Sequence, residues 1–115
     1  MGSVAEIWKP NVTVAAIVER DGRFLFVEEQ SGEGLVVNQP VGHLDEGESL
    51  IEAMVRETLE ETAWDVEPLG LVGVYRWISP TGTTYLRFAF AARAIVEHAG
   101  RPLDEGIARA LWLAP

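Results

Sequence analysis

Apolar and polar positions change rhythm several times along this chain, and each change marks an element. Residues 12–19 (VTVAAIVE) are almost continuously apolar and rich in β-branched side chains, the pattern of a strand buried on both faces. Asp21-Gly22 follows as a hairpin signal, and residues 24–28 (FLFVE) return as a second strand. Residues 30–34 (QSGEG) read as a loop, and residues 35–37 as a short strand stopped by Pro40. Further on, residues 66–78 are strand-like but broken by Pro68 and Gly70, and the turn Ser79-Pro80-Thr81-Gly82 sends residues 83–95 back as a long antiparallel partner. In that partner Leu86, Phe88 and Phe90 mark one face, and Tyr85, Arg87 and Arg93 the other. A loop with Gly100 and Pro102 leads to a last strand at residues 107–113.

Between these strands the rhythm switches once to the helical period. Ser49 with Glu52 three positions on is a capping box, so a helix begins near Leu50. At about 100° per residue, Leu50, Ile51, Met54, Val55, Thr58 and Leu59 form a core-facing stripe. Glu57, Glu60 and Glu61 project together along its edge. Like charges at this spacing cost roughly 0.2–0.5 kcal/mol per pair, and the last turn of a helix favours cations over anions. A divalent cation reverses both penalties, and hard carboxylate oxygens suit Mg²⁺ or Mn²⁺. The competing reading is a solvated acidic helix face.

Bulk properties narrow the field. A chain of 115 residues has room for one domain with a modest core. Its formal net charge of −9 argues against binding nucleic acid through phosphates, which requires clustered Lys and Arg. An anionic substrate is repelled by the same charge unless metal ions invert the local field. The absence of cysteine excludes disulfides and thiolate zinc and fits a reducing compartment. With no signal-peptide h-region and no apolar run of membrane-spanning length, cytoplasm is the expectation. Met1-Gly2-Ser3 fits an expression scar as well as native sequence.

The segment 42–64, GHLDEGESLIEAMVRETLEETAW, sets Gly42, Glu48, Arg56-Glu57 and Glu60-Glu61 in a fixed frame that resembles the Nudix box of Nudix hydrolases. Thr58 departs from the usual aliphatic residue, and Ala63 stands where the family has the glycine that closes the helix. Alanine in that left-handed position is strained by roughly 1 kcal/mol. The resemblance extends to Trp8-Lys9-Pro10, Asn38-Gln39-Pro40, Trp77-Ile78-Ser79-Pro80 and Leu86-Arg87-Phe88, which look like the NudJ-type phosphatase branch.

That resemblance implies an α/β fold, a mixed sheet in an α/β/α sandwich, and Mg²⁺-dependent hydrolysis of phosphoanhydrides. Its substrate classes are nucleoside di- and triphosphates and thiamine-pathway pyrophosphates, including hydroxymethylpyrimidine pyrophosphate. Carried over position by position, Glu57 and Glu61 are metal ligands, and Glu60 is a third ligand or the water-activating base, with Glu57 the rival base. Gly42 offers a backbone carbonyl near the metal, Arg56 either orients a glutamate or is a surface partner of Glu60 or Glu52 four positions away, and Glu48 either holds the loop or supports the metal site electrostatically. A non-hydrolytic nucleotide-binding module or an inactive truncated one is the alternative.

Outside the box each residue keeps two readings. Arg87 and Arg76 either contact phosphate or decorate a strand face. Trp77 and Tyr75 either stack on a heterocycle or fill the core. Asn38 and Gln39 either read a base edge or cap a loop. Asp104 and Glu105 either add a late carboxylate or are solvated, and His43 is structural because Mg²⁺ favours oxygen. The family's second helix follows the last strand, where this sequence stops at Pro115. One helix covers one face of the central strand, so self-association through the uncovered face, or reduced stability, is expected.

Overall fold

The computed structural model describes residues 6–115, so Met1-Gly2-Ser3 lies outside the described residues. Its architecture is built outward from β1 (Asn11–Arg20), the apolar strand, with β6 (Thr84–Glu97) running parallel beside it from Asn11↔Tyr85 to Val18↔Ala92. β5 (Trp64–Ile78) lies antiparallel on the far side of β6. On its other side β1 takes the short β4 (Val41–His43). At its end, the Asp21-Gly22 turn carries it into β2 (Arg23–Ser31). Both turn residues have positive φ, at 53° and 77°, as a type I′ hairpin requires. β2 pairs with β3 (Gly34–Asn38) and with β7 (Ile107–Leu113). The result is a mixed seven-stranded sheet of order β3-β2-β1-β6-β5, with β4 on β1 and β7 on β2.

Three boundaries differ from the sequence reading. Gln30 belongs to β2 and pairs with Leu35, because β2 and β3 zip together down to Ser31↔Gly34 and the loop shrinks. β5 is one strand despite Pro68 and Gly70. Register shifts at Pro68/Gly70 and Leu71/Gly73 absorb the irregular positions, and an edge strand tolerates a proline. β6 continues to Glu97, which pairs with Trp64.

The helix α1 (Leu50–Thr62) starts where its capping box places it, with Ser49 accepting from the Glu52 amide and Glu52 accepting from the Ser49 amide. It is the one α-helix among the described residues, and none there is long and apolar enough to cross a membrane. Its buried side is turned from the expected stripe: Ala53, Met54, Thr58, Glu61 and Thr62 are buried, whereas Ile51 is 49% exposed. Ala53 and Met54 pack with Val14, Ala16, Val18, Leu25, Phe90 and Ala92. Thr58 sits in this core at no unmet polar cost, since its hydroxyl donates to the Met54 carbonyl at 2.8 Å. The rotation draws Glu61 inward.

Ala63 closes α1 in the left-handed region (φ 64°, ψ 13°), its amide bonded to the Leu59 carbonyl. The family's exit turn is thus retained without its glycine. Ala63→Gly relieves the Cβ strain, offset by lost burial and added unfolded-state entropy, for a net gain of about 0.5–1 kcal/mol. A melting temperature raised by about 2–5 °C is the expected readout.

The second face of β1 is not left bare. Thr13 and Ala15 are buried there, flanked by β4 and β6, and Pro40 is buried with its carbonyl bonded to the Ala16 amide. Exposed apolar surface lies instead on β5, at Leu69, Leu71, Val72 and Val74.

Candidate active site

Arg56 organises the acidic helix. Nε and one terminal nitrogen donate to the two oxygens of Glu48 (2.6 and 2.9 Å), and that nitrogen also reaches the His43 carbonyl (3.0 Å). The other terminal nitrogen donates to Glu57 (2.6 Å) and Glu60 (2.8 Å). A guanidinium has five N–H groups, and these contacts use them all. Arg56 therefore ties the loop before α1 to the carboxylates on it. Glu48 also accepts from the Asp45 amide, and the Arg56 hydrogen bond holds its carboxyl below the usual range.

Glu57, Glu61 and Asp104 converge, each offering an oxygen within 4.8 Å of the others. Gly42 makes this possible, because a Cβ there would land on the Glu57 carboxylate. The glycine thus serves first as space for Glu57. Glu61 is 8% exposed and accepts from the Val41 amide at 3.0 Å. Burial pushes its carboxyl up to about 8 against that hydrogen bond, with the negative charges of Glu57, Glu29 and Asp104 adding to the rise. Burial also raises Glu57, opposed by Arg56.

Among the described residues no ion pair involves Glu61 or Asp104. Crowded oxygen donors around a buried carboxyl without a cationic partner fit a hard divalent ion.

The cluster differs in membership from the sequence-derived set. Glu60 belongs with Arg56, outside the three-oxygen group. Asp104 takes the third place, brought there by its amide bonding the Glu60 carbonyl at 3.0 Å and by the Ile107 amide bonding its own carbonyl. Glu105 is not part of the group. No periodic signal connects residue 104 to the helix. The available hint was an acidic residue in a late loop.

On the opposite face of the sheet lies a cleft of about 580 Å³ lined by Ile17, Asn38, Gln39, Tyr75, Trp77, Arg87 and Ala89. That volume suits a small-molecule ligand. Trp77 and Tyr75 are 56% and 52% exposed, so neither is core. Trp77 stacks on Tyr85 with centroids 5.5 Å apart. Tyr75 lies over Gly73, where a side chain would collide with its ring. Arg87 lines the cleft without an ion pair among the described residues, whereas Arg76 is exposed on the other face. Asn38 is held by Glu29 at 2.9 Å. The exposed His43 ring lies with its centroid 6.2 Å from that of Tyr85.

A mixed sheet carrying a capped acidic helix, with an arginine clasping its glutamates, defines a class. The NUDIX domain model matches residues 8–115, and the chain belongs to the Nudix family, as a hydrolase of phosphoanhydrides. Among curated proteins it is 39% identical to "Phosphatase NudJ" of Escherichia coli strain K12 over 108 residues, spanning 94% of this chain and 71% of that one. The same identity and coverage hold for "Phosphatase NudJ" of Shigella flexneri. Among solved structures, a NUDIX hydrolase from Nitrosomonas europaea aligns with TM-score 0.88 at 49% identity, over 92% of this chain and 73% of that one. A UDP-X diphosphatase aligns at 0.81 and 20% identity over 96% and 53%, a likeness of fold alone.

Proposed function

We propose that this hydrolase cleaves nucleoside di- and triphosphates or thiamine-pathway pyrophosphates, hydroxymethylpyrimidine pyrophosphate among them, by attack of water with Mg²⁺ as cofactor. The convergence of Glu57, Glu61 and Asp104 carries this reading. Those residues would hold the ion, with the Gly42 carbonyl as a further donor, and Mn²⁺ would serve the same oxygen set. When bound, the metal neutralises phosphate charge, the main requirement of such a transfer.

Glu60, held by Arg56 beside the cluster, accepts the proton of the attacking water, and Glu57 is the alternative base. Arg56 and Glu48 position these carboxylates. In the cleft, Trp77 and Tyr75 offer stacking surfaces to the organic part of the substrate. Arg87 offers charge to a phosphate, and Gln39 and Asn38 polar edges. The relatives named as NudJ phosphatases support a small phosphorylated substrate.

Two further parts of the proposal are self-association and location. The exposed apolar side chains of β5 supply a surface for pairing with a second copy, which relocates the contact from β1 to the β5–β6 ribbon. Cytoplasmic residence accords with a chain that has no cysteine to oxidise.

The test is phosphate release from ATP, GTP, CTP, hydroxymethylpyrimidine pyrophosphate and thiamine pyrophosphate, with Mg²⁺, with Mn²⁺ and with chelator. Turnover of at least one substrate that disappears on chelation is expected. Metal-independent turnover would remove the proposed role of the acidic group.

A further inference from the structure

Strand register places four residues in one row across the face opposite α1: His43 on β4, Thr13 on β1, Arg87 on β6 and Tyr75 on β5. Thr13 is at the centre of that row and only 7% exposed. Its hydroxyl is the one buried side-chain polar atom among the described residues with no hydrogen-bond partner. Buried hydroxyls are ordinarily paired, and an orphan marks a place where a partner arrives from outside the fold.

Nothing in the packing asks for a hydroxyl here. The strand neighbours Val12 and Val14 show that the backbone accepts valine, which has nearly the shape of threonine. Branching at Cβ restricts the side chain to few rotamers, so the hydroxyl is held in place. Thr13 lines a recess of about 270 Å³ with Gly42, His43, Trp77, Tyr85 and Arg87. This recess shares Trp77 and Arg87 with the larger cleft. A group seated there meets an aromatic stack, a cation and one unpaired hydroxyl.

We propose that Thr13 is a specificity-determining residue whose hydroxyl hydrogen-bonds the planar, polar heterocycle of the substrate's organic moiety as it rests against Trp77 and Tyr85. The inference rests on the reading above that this cleft takes the organic part of a pyrophosphate. A site built around one hydrogen bond rejects analogues that cannot make it, because the buried group is then left unpaired.

Thr13→Val and Thr13→Ser decide the matter, assayed with Mg²⁺ on those of ATP, GTP, CTP, hydroxymethylpyrimidine pyrophosphate and thiamine pyrophosphate that the wild-type enzyme turns over. Thr13→Val should raise KM about tenfold with kcat within about twofold, because the lost contact serves binding. Thr13→Ser, which keeps the hydroxyl, should restore KM to near the wild-type value. In the metal-free protein Thr13→Val should melt at the wild-type temperature or above it, since no internal hydrogen bond is lost. A wild-type KM in Thr13→Val, or a clearly lower melting temperature, would overturn the proposal while leaving metal-dependent hydrolysis intact. Absence of wild-type turnover on every substrate would instead remove the reading beneath it.

Discussion

Glu57→Gln lowers kcat/KM for pyrophosphate hydrolysis by about 10²–10⁴-fold with an unchanged far-UV circular dichroism spectrum. Glutamine keeps the length and planar head of glutamate, so the space opposite Gly42 stays filled and an oxygen remains to accept from Arg56. What it removes is one negative charge. Glu57 is the carboxylate that both accepts from Arg56 and shares the group with Glu61 and Asp104, so its charge serves both parts of the site. Glu48 lies outside that group and acts through Arg56. Steady-state assays over a Mg²⁺ titration provide the check, and a variant within a few-fold of wild type would remove Glu57 from the chemistry.

Glu61→Gln abolishes a pH dependence of stability that the metal-free wild type displays. The folded protein holds the Glu61 carboxyl at about 8 against an ordinary 4.5, through burial first and neighbouring carboxylates second. The folded state therefore retains a proton that the unfolded chain releases between those values. Stability contributed by this group is fully present below about pH 4.5, falls as pH rises, and is gone above about pH 8. The loss is on the order of 2–4 kcal/mol. Glutamine cannot ionise, and its oxygen still accepts from Val41, so the variant melts higher than wild type at pH 8 in chelator. Mg²⁺ raises the melting temperature of the wild type above pH 7 and has little effect on the variant. Parallel melting curves for the two proteins from pH 5 to 9 would show that Glu61 carries neither effect.

Local chemistry made much of this legible in the sequence. The Ser49–Glu52 capping box fixed the start of α1, Asp21-Gly22 fixed the hairpin, and alternation sorted Leu86, Phe88 and Phe90 from Tyr85 and Arg87. Each of these depends on residues a few positions apart. Periodicity also placed Glu57 and Glu61 on the helix edge, but it could not say that Arg56 would claim Glu60. That outcome depends on Glu48 and His43 arriving from the preceding loop. Asp104 reaches the cluster through a backbone hydrogen bond spanning more than forty positions, and Thr13 is isolated only once β4 and β6 flank it. Ile51 misled for a related reason: a helical wheel gives angles about an axis, and packing against β4 and β5 sets which angle faces inward.

Gly42 and Glu57 occupy a single volume between them, one giving up a side chain and the other filling the space with its carboxylate. Changes at either position are thus constrained by the other: a larger residue at 42 becomes admissible only once a shorter one stands at 57, and metal-binding charge is forfeited in the exchange. Across descendants of this sequence, the two sites should drift as a pair or not at all.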